Sequence, residues 1–331
     1  MRYVSLPGTD WKVSRVMMGC WALAGDQTWG PQDENEAIAA IHAAIEAGIN
    51  FFDNAELYGN GVAEEILGKA LSSRRENIFV ASKFNWEHAR REQVIAACDR
   101  SLKRLNRESI DLYQIHWANW DVSFEETWAA LEYLQKQGKI RAIGVCNFGP
   151  QDLAAILRLG QPSTNQLPYG PLFRAIEYEI VPACLAAGVG ILCYSPLTIG
   201  LLTGKFRSAD EVPAGRARTR HFSSRRPLTR HGEPGCEEET FIAITAIQSL
   251  AKELGMSVTQ LALAWLLHRP GVTAVVNGMR RPEQVWQNAV AGEIDLEPVV
   301  VNKIASMTDP IKERLGRNPD MWEGADRSRF R

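Results

Sequence analysis

The chain has 331 residues, of which 45% are hydrophobic and 23% are charged, and its formal net charge is -2. This composition is ordinary for a globular protein, and the balanced charge gives no electrostatic reason to expect nucleic acid or a membrane surface as a partner. No apolar run approaches the roughly 20 residues of a membrane span, and the N-terminal segment lacks the apolar core of a signal peptide. We therefore expect a cytoplasmic protein.

Cysteine and histidine spacing gives no sign of a metal site. The six cysteines are scattered and none forms a CxxC pair, so neither a disulfide framework nor a zinc site is expected. The His/Glu spacing of a catalytic metal centre does not occur either. Buried free thiols are the expected state of the cysteines.

Short, nearly continuous apolar runs alternate with amphipathic stretches along most of the chain. Such runs are typical of parallel strands that are covered on both faces. The eight predicted strands span residues 16–19, 50–53, 78–83, 110–116, 140–146, 164–167, 190–194 and 273–276. The helices predicted between and after them span residues 34–47, 62–71, 93–105, 124–137, 150–159, 178–187, 239–254, 257–268 and 282–291.

Eight βα units in succession predict an α/β fold, a (β/α)8 barrel that forms a single domain over residues 1–331. A doubly wound parallel sheet is the alternative, but no strand is followed by GxGxxG and the spacing of the units is even. The segment from Gly200 to Lys205 resembles a phosphate loop. It has three residues between the glycines instead of four, and Phe206 occupies the Ser/Thr position, so we exclude a P-loop.

Three segments lie outside the repeat. Residues 1–14 predict a β-hairpin around Pro7 that plugs one end of the barrel. Residues 205–238 form a long polar insertion after the seventh barrel strand, and its arginines leave open either a solvated flap or contact with an anion. Residues 297–309 predict an extra helix, followed by an irregular tail that contains Trp322 and several arginines.

Four chemically active side chains follow successive barrel strands. Asp53, Lys83 and His116 end the second, third and fourth strands, and Tyr58 lies in the loop after the second. Catalytic groups in such barrels lie at the carboxyl ends of the strands. An ammonium lowers the pKa of a nearby tyrosine, a carboxylate keeps the ammonium charged, and a histidine can bond a carbonyl oxygen. Each residue alone has a structural explanation, but together they indicate protonation of an alkoxide as hydride reaches carbon.

These residues belong to motifs that resemble the aldo-keto reductases over nearly the whole chain. The motifs occupy residues 48–59, 79–83, 111–116, 144–148, 194–205 and 278–288. They look most like bacterial members related to potassium-channel β subunits and to inositol- or sugar-linked reductases. The resemblance implies an NADP-dependent oxidoreductase with Tyr58 as general acid, Lys83 and Asp53 tuning its pKa, and His116 orienting the carbonyl.

The resemblance also implies a binding site for NADPH or NADP+. Asn147 and Gln166 would bind the carboxamide, and Tyr194 would stack on the nicotinamide. The residues implied at the rest of the cofactor are Trp21, Asp53, Ser195, Leu197, Gly200, Leu202, Lys205, Gly278, Arg280, Gln284 and Asn288. Arg280, with Arg281 sharing or replacing its role, would favour NADPH because a guanidinium matches the 2′-phosphate. The chain departs from the family pattern at Asn54, Cys146 and the pair Val276-Asn277.

Tryptophans after the strands predict an aromatic substrate site. Trp21, Trp86, Trp117 and Trp120 are assigned to it together with His116, and flat aromatic walls suit sugars as well as aromatic aldehydes. We expect reduction of a sugar-derived carbonyl, an aldose or an oxidised sugar, to the alcohol. A polyol or sugar dehydrogenase and a nicotinamide-binding regulatory subunit remain open, as do a monomer and a homo-oligomer.

Overall fold

The structure, a computed structural model, describes residues 1–26, 28–72, 74 and 77–331. Its strands are β1 (Tyr3–Ser5), β2 (Lys12–Ser14), β3 (Val16–Gly19), β4 (Phe51–Asp53), β5 (Phe79–Phe84), β6 (Ile110–Ile115), β7 (Ile140–Cys146), β8 (Thr164–Pro168), β9 (Gly190–Tyr194) and β10 (Val272–Gly278). Its α-helices are α1 (Glu34–Glu46), α2 (Val62–Ala70), α3 (Arg91–Leu105), α4 (Phe124–Lys136), α5 (Pro150–Leu157), α6 (Ile180–Ala187), α7 (Glu237–Glu253), α8 (Val258–Leu267), α9 (Pro282–Ala289) and α10 (Pro298–Leu315).

Strands β3 to β10 form a closed parallel barrel. Each strand pairs with the next along the chain, and β10 pairs with β3 to close the ring. This closure confirms the (β/α)8 prediction and rules out the doubly wound sheet, which has open edges. The observed strand bounds lie within two residues of those predicted.

The N-terminal hairpin covers the end of the barrel at which the strands begin. β1 and β2 pair antiparallel, and Leu6, Trp11 and Val13 pack in one cluster with inward-facing strand residues such as Met17 and Phe51. Trp11 also stacks on Phe79 at 5.2 Å between ring centroids. The predicted plug is thus confirmed, and it leaves the carboxyl ends of the strands as the end at which a ligand can enter.

The insertion after β9 is packed against the C-terminal tail. Arg220 is 3% exposed, and its guanidinium donates to Glu233 and to the backbone oxygens of Leu315 and Asn318. Within the described residues, no single helix is long and apolar enough to cross a membrane, and only α7 and α8 together, bent by 94°, reach that length and composition.

The extra helix is longer than predicted. It runs from Pro298 to Leu315 with Pro310 inside it, whereas the sequence suggested an end at residue 309 because proline removes a backbone donor. Long-range contacts hold this part of the helix, because the Arg174 guanidinium donates to the Ala305 oxygen at 2.7 Å, to Thr308 and to Asp309. The tail therefore becomes irregular only after Leu315.

Candidate active site

A cleft of about 810 Å³ lies at the carboxyl ends of the barrel strands. The predicted site residues that line it are Trp21, Asp53, Tyr58, His116, Trp117, Asn147, Gln166, Tyr194, Ser195, Leu197, Gly200, Lys205, Gly278, Arg280, Arg281 and Gln284. The size is within the range of small-molecule and cofactor sites. Within the described residues, no group of three or more His, Cys, Asp or Glu side chains is suited to hold a metal ion.

Strand alternation explains how the catalytic side chains meet. Phe51 and Ala81 face the barrel interior, and successive side chains of a strand point to opposite faces. Asp53 and Lys83, two residues further along each strand, therefore point inward as well, above the apolar core. The same alternation from Leu112 places His116 on the inward side, at the top of the barrel.

The side chains of Asp53, Lys83 and Tyr58 form a chain of short contacts. Lys83 Nζ lies 2.7 Å from Asp53 Oδ1, donates to the Asn54 oxygen at 2.7 Å, and donates to the Tyr58 hydroxyl at 3.2 Å. Lys83 is fully buried and Asp53 is 2% exposed. The ammonium is thus held in one position against the phenol oxygen.

Burial and charge act in opposite directions on the Tyr58 phenol. Burial raises its pKa above the ordinary value, and the opposing effect of Lys83 does not cancel this rise. Burial alone would lower the pKa of Lys83, but the charges of Asp53 and Tyr58 raise it. The ammonium acts on Tyr58 in the expected direction and is outweighed. The phenol is protonated at neutral pH, the form that a general acid requires.

His116 lies against Tyr58 as a neutral imidazole. The two rings are 5.9 Å apart and nearly perpendicular. Burial, Lys83 and Arg329 together lower the pKa of His116 well below its ordinary value. Its Nδ1 atom is buried and has no hydrogen-bond partner among the described residues. A neutral imidazole beside the phenol can direct one N–H at a ligand oxygen.

Three residues predicted to hold the nicotinamide are joined by hydrogen bonds to each other or to the catalytic group. Asn147 donates to the His116 backbone oxygen at 3.0 Å and accepts from the Tyr194 hydroxyl at 2.9 Å. Gln166 donates to Asp53 Oδ1 at 2.8 Å. Asn147 has a φ of 62°, which turns the chain sharply after β7. The cofactor face of the cleft is therefore rigidly connected to the catalytic face.

The loop after β9 has a strained backbone. Ser195, Thr198, Ile199 and Gly200 all have positive φ, at 51°, 48°, 54° and 92°. A β-branched residue such as Ile199 rarely adopts such a φ, and strained backbone of this kind is found at ligand sites. The N–H groups of Thr198 and Gly200 donate within the loop, to the backbone oxygens of Ser195 and Leu197, and the loop lines the cleft where the contact with a pyrophosphate is predicted.

Arg280 contacts protein carbonyl groups instead of pointing freely into the cleft. Its guanidinium donates to the backbone oxygens of Trp29 and Pro31 and to Gln32 Oε1. Arg281 is exposed and lies 3.3 Å from Glu36. The Arg280 backbone N–H donates to Gln284 Oε1 at 2.8 Å. Arg280 therefore ties the loop after β10 to the loop after β3, across the adenosine end of the cleft.

The C-terminal tail forms part of the cleft, which the sequence did not predict. Trp322 stacks on Tyr194 with 7° between the ring planes. Arg329 lies 3.9 Å from the centre of the Trp117 ring and is held by Asp320 at 2.7 Å. The tryptophans and arginines of the tail were the only signal in the sequence. Arg216, Arg218 and Arg230 of the insertion also line the cleft.

Some predicted residues do not line the cleft. Leu202 is fully buried, and Asn288 lies near the end of α9. Trp86 is 42% exposed. Trp120 is turned aside, because its indole donates to Asp152 at 3.1 Å and Arg331 covers its ring at 3.5 Å. The aromatic wall is instead formed by Trp21, Trp29, Trp117 and Trp322.

Comparisons with known proteins agree with this geometry. The aldo/keto reductase family model matches residues 15–309. The chain is 32% identical to the aldo-keto reductase YhdN of Bacillus subtilis, over 94% of this chain and 97% of that protein. It is 30% identical to a probable voltage-gated potassium channel subunit beta of Oryza sativa, over 95% and 98%.

A solved structure gives the same result for the fold. The aldo-keto reductase from Klebsiella pneumoniae in complex with NADPH superposes with a TM-score of 0.78 at 28% identity, over 97% of this chain and 99% of that one. The family match, the closed barrel and the Tyr58–Lys83–Asp53 contacts all lead to one conclusion. The chain belongs to the aldo/keto reductase family of oxidoreductases.

Proposed function

We propose that this protein reduces the carbonyl group of a small sugar-derived aldehyde or ketone, with NADPH as hydride donor and Tyr58 as general acid. The observation that carries the proposal is the contact of 3.2 Å between Lys83 Nζ and the Tyr58 hydroxyl, at the floor of a cleft that His116 also lines. This arrangement is suited to supply a proton to an oxygen that becomes negatively charged.

The cleft fits a nicotinamide cofactor by its chemistry. It contains the cations Lys205, Arg216 and Arg280 around the strained loop after β9. Buried donors on Trp29 and Asn277 have no acceptor among the described residues. Lys205, Arg280 and the backbone of residues 195–200 would hold the phosphates, and Asn147, Gln166 and Tyr194 the nicotinamide. NADPH, when bound, supplies the hydride.

The protein residues then have distinct roles in the reaction. Neutral His116 donates an N–H to the carbonyl oxygen and orients it. As the carbonyl carbon gains the hydride, its oxygen takes the Tyr58 hydroxyl proton. The resulting phenolate is stabilised by the Lys83 ammonium at the same contact, and Asp53 keeps that ammonium charged. Water then reprotonates Tyr58, which returns the site to its starting state.

The aromatic and polar lining supports a polyhydroxylated substrate. Trp21 stacks on Tyr58 at 6.0 Å and meets Trp29 edge-on at 5.4 Å. Flat indole faces next to hydrogen-bonding groups are suited to the apolar faces and hydroxyls of sugars. Oxidation of a sugar alcohol by the same site, in the reverse direction, uses the same residues and differs only in the supply of cofactor.

Similarity to the plant channel subunit favours a second candidate, a nicotinamide-binding regulatory protein. The two candidates differ in whether the protein turns over a carbonyl substrate: a reductase does, and a purely regulatory protein does not. A purely regulatory role does not need a phenol held against an ammonium, whereas a reductase does. The intact contacts of Tyr58, Lys83 and Asp53 therefore support the reductase.

The test is a screen of carbonyl compounds in which NADPH absorbance is followed. We expect polyhydroxylated aldehydes such as D-erythrose to be reduced with a higher kcat/KM than the alkyl aldehyde of equal carbon number, butanal. Consumption of NADPH with butanal but not with sugar aldehydes would contradict the substrate class. If no carbonyl is turned over while NADPH still binds, the regulatory role is correct and the reductase proposal is wrong.

A further inference from the structure

Arg218 lines the cleft without a protein partner of its own among the described residues. It is half-buried and lines the cleft, yet its guanidinium makes no hydrogen bond or ion pair with any residue that the structure describes. The Arg216 guanidinium also has no acceptor among the described residues and lies over the Trp29 ring instead, whereas three other arginines that line the cleft have acceptors. These contacts are Arg230 to Glu323 at 3.0 Å, Arg329 to Asp320 at 2.7 Å and Arg281 to Glu36 at 3.3 Å.

The backbone around Arg218 is fixed. Its neighbours Ala217 and Thr219 are each 1% exposed. The Arg220 backbone N–H donates to the Met321 oxygen at 2.9 Å, and the buried Arg220 guanidinium binds Glu233. The segment is therefore packed against the tail and is not a solvated flap. A fixed backbone with an unpaired cation at the cleft surface is a preorganised ligand contact.

The contact of the Arg220 backbone with Met321 places Arg218 beside the part of the cleft that the tail forms, where Trp322 stacks on Tyr194. Burial and the charge of Arg230 lower the pKa of Arg218, and the opposing effect of Asp26 is smaller. Asp26 in turn accepts from the Trp21 indole at 2.7 Å, and Trp21 stacks on Tyr58. Trp21 and Tyr58 line the same cleft as Arg218.

The nearby Arg216 lies next to the loop after β9. A side chain at Gly200, in the strained loop after β9, would meet Arg216 Nη1 at 3.4 Å. The charge of Arg280 also acts on Arg216. Arg216 therefore lies next to the loop to which the proposed function assigns the cofactor phosphates.

We propose that Arg218, assisted by Arg230, binds an anionic group of the carbonyl substrate, a carboxylate or a phosphate, so that the protein acts on acidic sugar derivatives. This inference deepens the proposed function and rests on it for the identity of the ligand. A guanidinium offers five donors and no acceptor, and its planar geometry matches carboxylate and phosphate oxygens. Arg230 contacts Glu323, and its charge also acts on Arg218. It is therefore the second cation near the proposed anionic group.

The experiment measures binding to the NADPH-loaded protein by calorimetry, with two matched pairs of alcohols that contain no aldehyde or ketone group for NADPH to reduce. D-Gluconate against D-glucitol tests a carboxylate, and glycerol 3-phosphate against glycerol tests a phosphate. We expect the anionic member of at least one pair to bind about tenfold to a hundredfold more tightly, as charged hydrogen bonds do. The pair that shows the preference identifies the anionic group.

Variants test whether the preference for the anionic ligand depends on Arg218. Arg218→Met should reduce the ratio of anionic to neutral affinity to near one. Arg218→Lys, which keeps the charge but loses the planar fork, should retain part of it. Arg225→Met is the matched control, because Arg225 lies on the same insertion, is exposed and does not line the cleft, and it should leave the ratio unchanged.

Three results would overturn the inference. These are equal binding of both members in both pairs, a preference that survives in both Arg218 variants, and a loss of NADPH affinity in Arg218→Met with the ratio unchanged. The last result would assign Arg218 to the cofactor. Because binding is measured without turnover, a failed carbonyl screen removes the proposed reductase function only, and a missing anion preference removes this inference only.

Discussion

The floor and the rim of the cleft are built in different ways. The floor consists of Asp53, Lys83 and Tyr58, which adjacent strands and one short loop bring into mutual contact. The rim consists of the insertion after β9 and the C-terminal tail, which meet through contacts such as Arg220 to Leu315, 95 residues apart. The floor is buried and its charges neutralise one another, whereas the rim holds partly exposed ion pairs and the unpaired Arg218.

We expect the floor to determine the chemical step and the rim to determine which ligand binds. A buried ion pair fixes the position of a proton donor, and it is costly to break because the remaining charge stays out of water. Partly exposed pairs contribute little to stability, so rim residues are free to vary with the ligand. Changes at the floor should therefore affect turnover and folding most, and changes at the rim should mainly affect which ligand binds.

The largest effect is expected for Tyr58→Phe. Loss of the hydroxyl removes the proton donor, and kcat should fall on the order of 10³-fold to 10⁴-fold, the upper part of the range for general acid catalysis. NADPH affinity, measured by fluorescence titration, should stay within about twofold because the ring remains. Equal turnover by Tyr58→Phe and the unaltered protein would show that another group donates the proton.

Lys83→Met should be the most destabilising change at the floor. The Asp53 carboxylate would remain buried without its cation, and the free energy of unfolding should fall by about 3–5 kcal/mol. Urea denaturation measures this. The double variant with Asp53→Asn should lose less than the two single variants together, since it leaves no unpaired charge. Arg230→Met, which removes a half-exposed pair with Glu323, should cost less than about 1 kcal/mol.

Arg280→Ala tests the adenosine end of the rim. If Arg280 binds the 2′-phosphate, NADPH affinity should fall about tenfold to a hundredfold, because a charged hydrogen bond would be removed. NADH affinity should fall less, through release of the loop that carries Trp29 and Pro31. Arg281→Ala is the matched comparison. Equal losses for the two cofactors would mean that Arg280 only fastens the loop.

The last prediction concerns the pH dependence of the unfolding free energy, through a histidine that helps to attach the rim. Burial lowers the pKa of His221, in the insertion, from 6.5 to about 4, where the neutral ring contacts Leu172 and Thr219. Its contribution to stability is complete above pH 6.5 and is lost as the pH falls towards 4, because the unfolded chain takes up the proton first. From pH 7 to pH 5 the unfolding free energy should fall by roughly 2 kcal/mol from this residue.

Urea denaturation at several pH values tests this expectation. His221→Gln has no titrating ring, so its unfolding free energy should depend less steeply on pH than that of the unaltered protein. The difference between the two slopes isolates the contribution of His221. Parallel slopes for the two proteins would contradict the assignment and would leave His116 and His231, whose pKa values burial also lowers, as the source of any acid sensitivity.

The sequence by itself determined the barrel, the plug and the catalytic floor. Apolar strand runs and regular βα spacing leave few arrangements, and strand alternation from Phe51 to Asp53 and from Ala81 to Lys83 then places these side chains at one mouth. These features depend on local pattern and on a barrel geometry that is the same in every such fold. The helix that continues through Pro310 was mispredicted because the contacts that hold it there come from Arg174, which is distant in the chain.

Only the tertiary structure decided the rim. Nothing periodic in the insertion or the tail shows that Trp322 lies on Tyr194, that Arg329 lies on Trp117, or that Trp120 is turned away. Such contacts join irregular segments over long sequence separations, and their geometry follows from how the segments dock on a barrel that already exists. The same holds for Arg218: as one of many arginines in the chain it carries no signal, and it becomes a candidate binding group only because the fold places it at the cleft without a partner among the described residues.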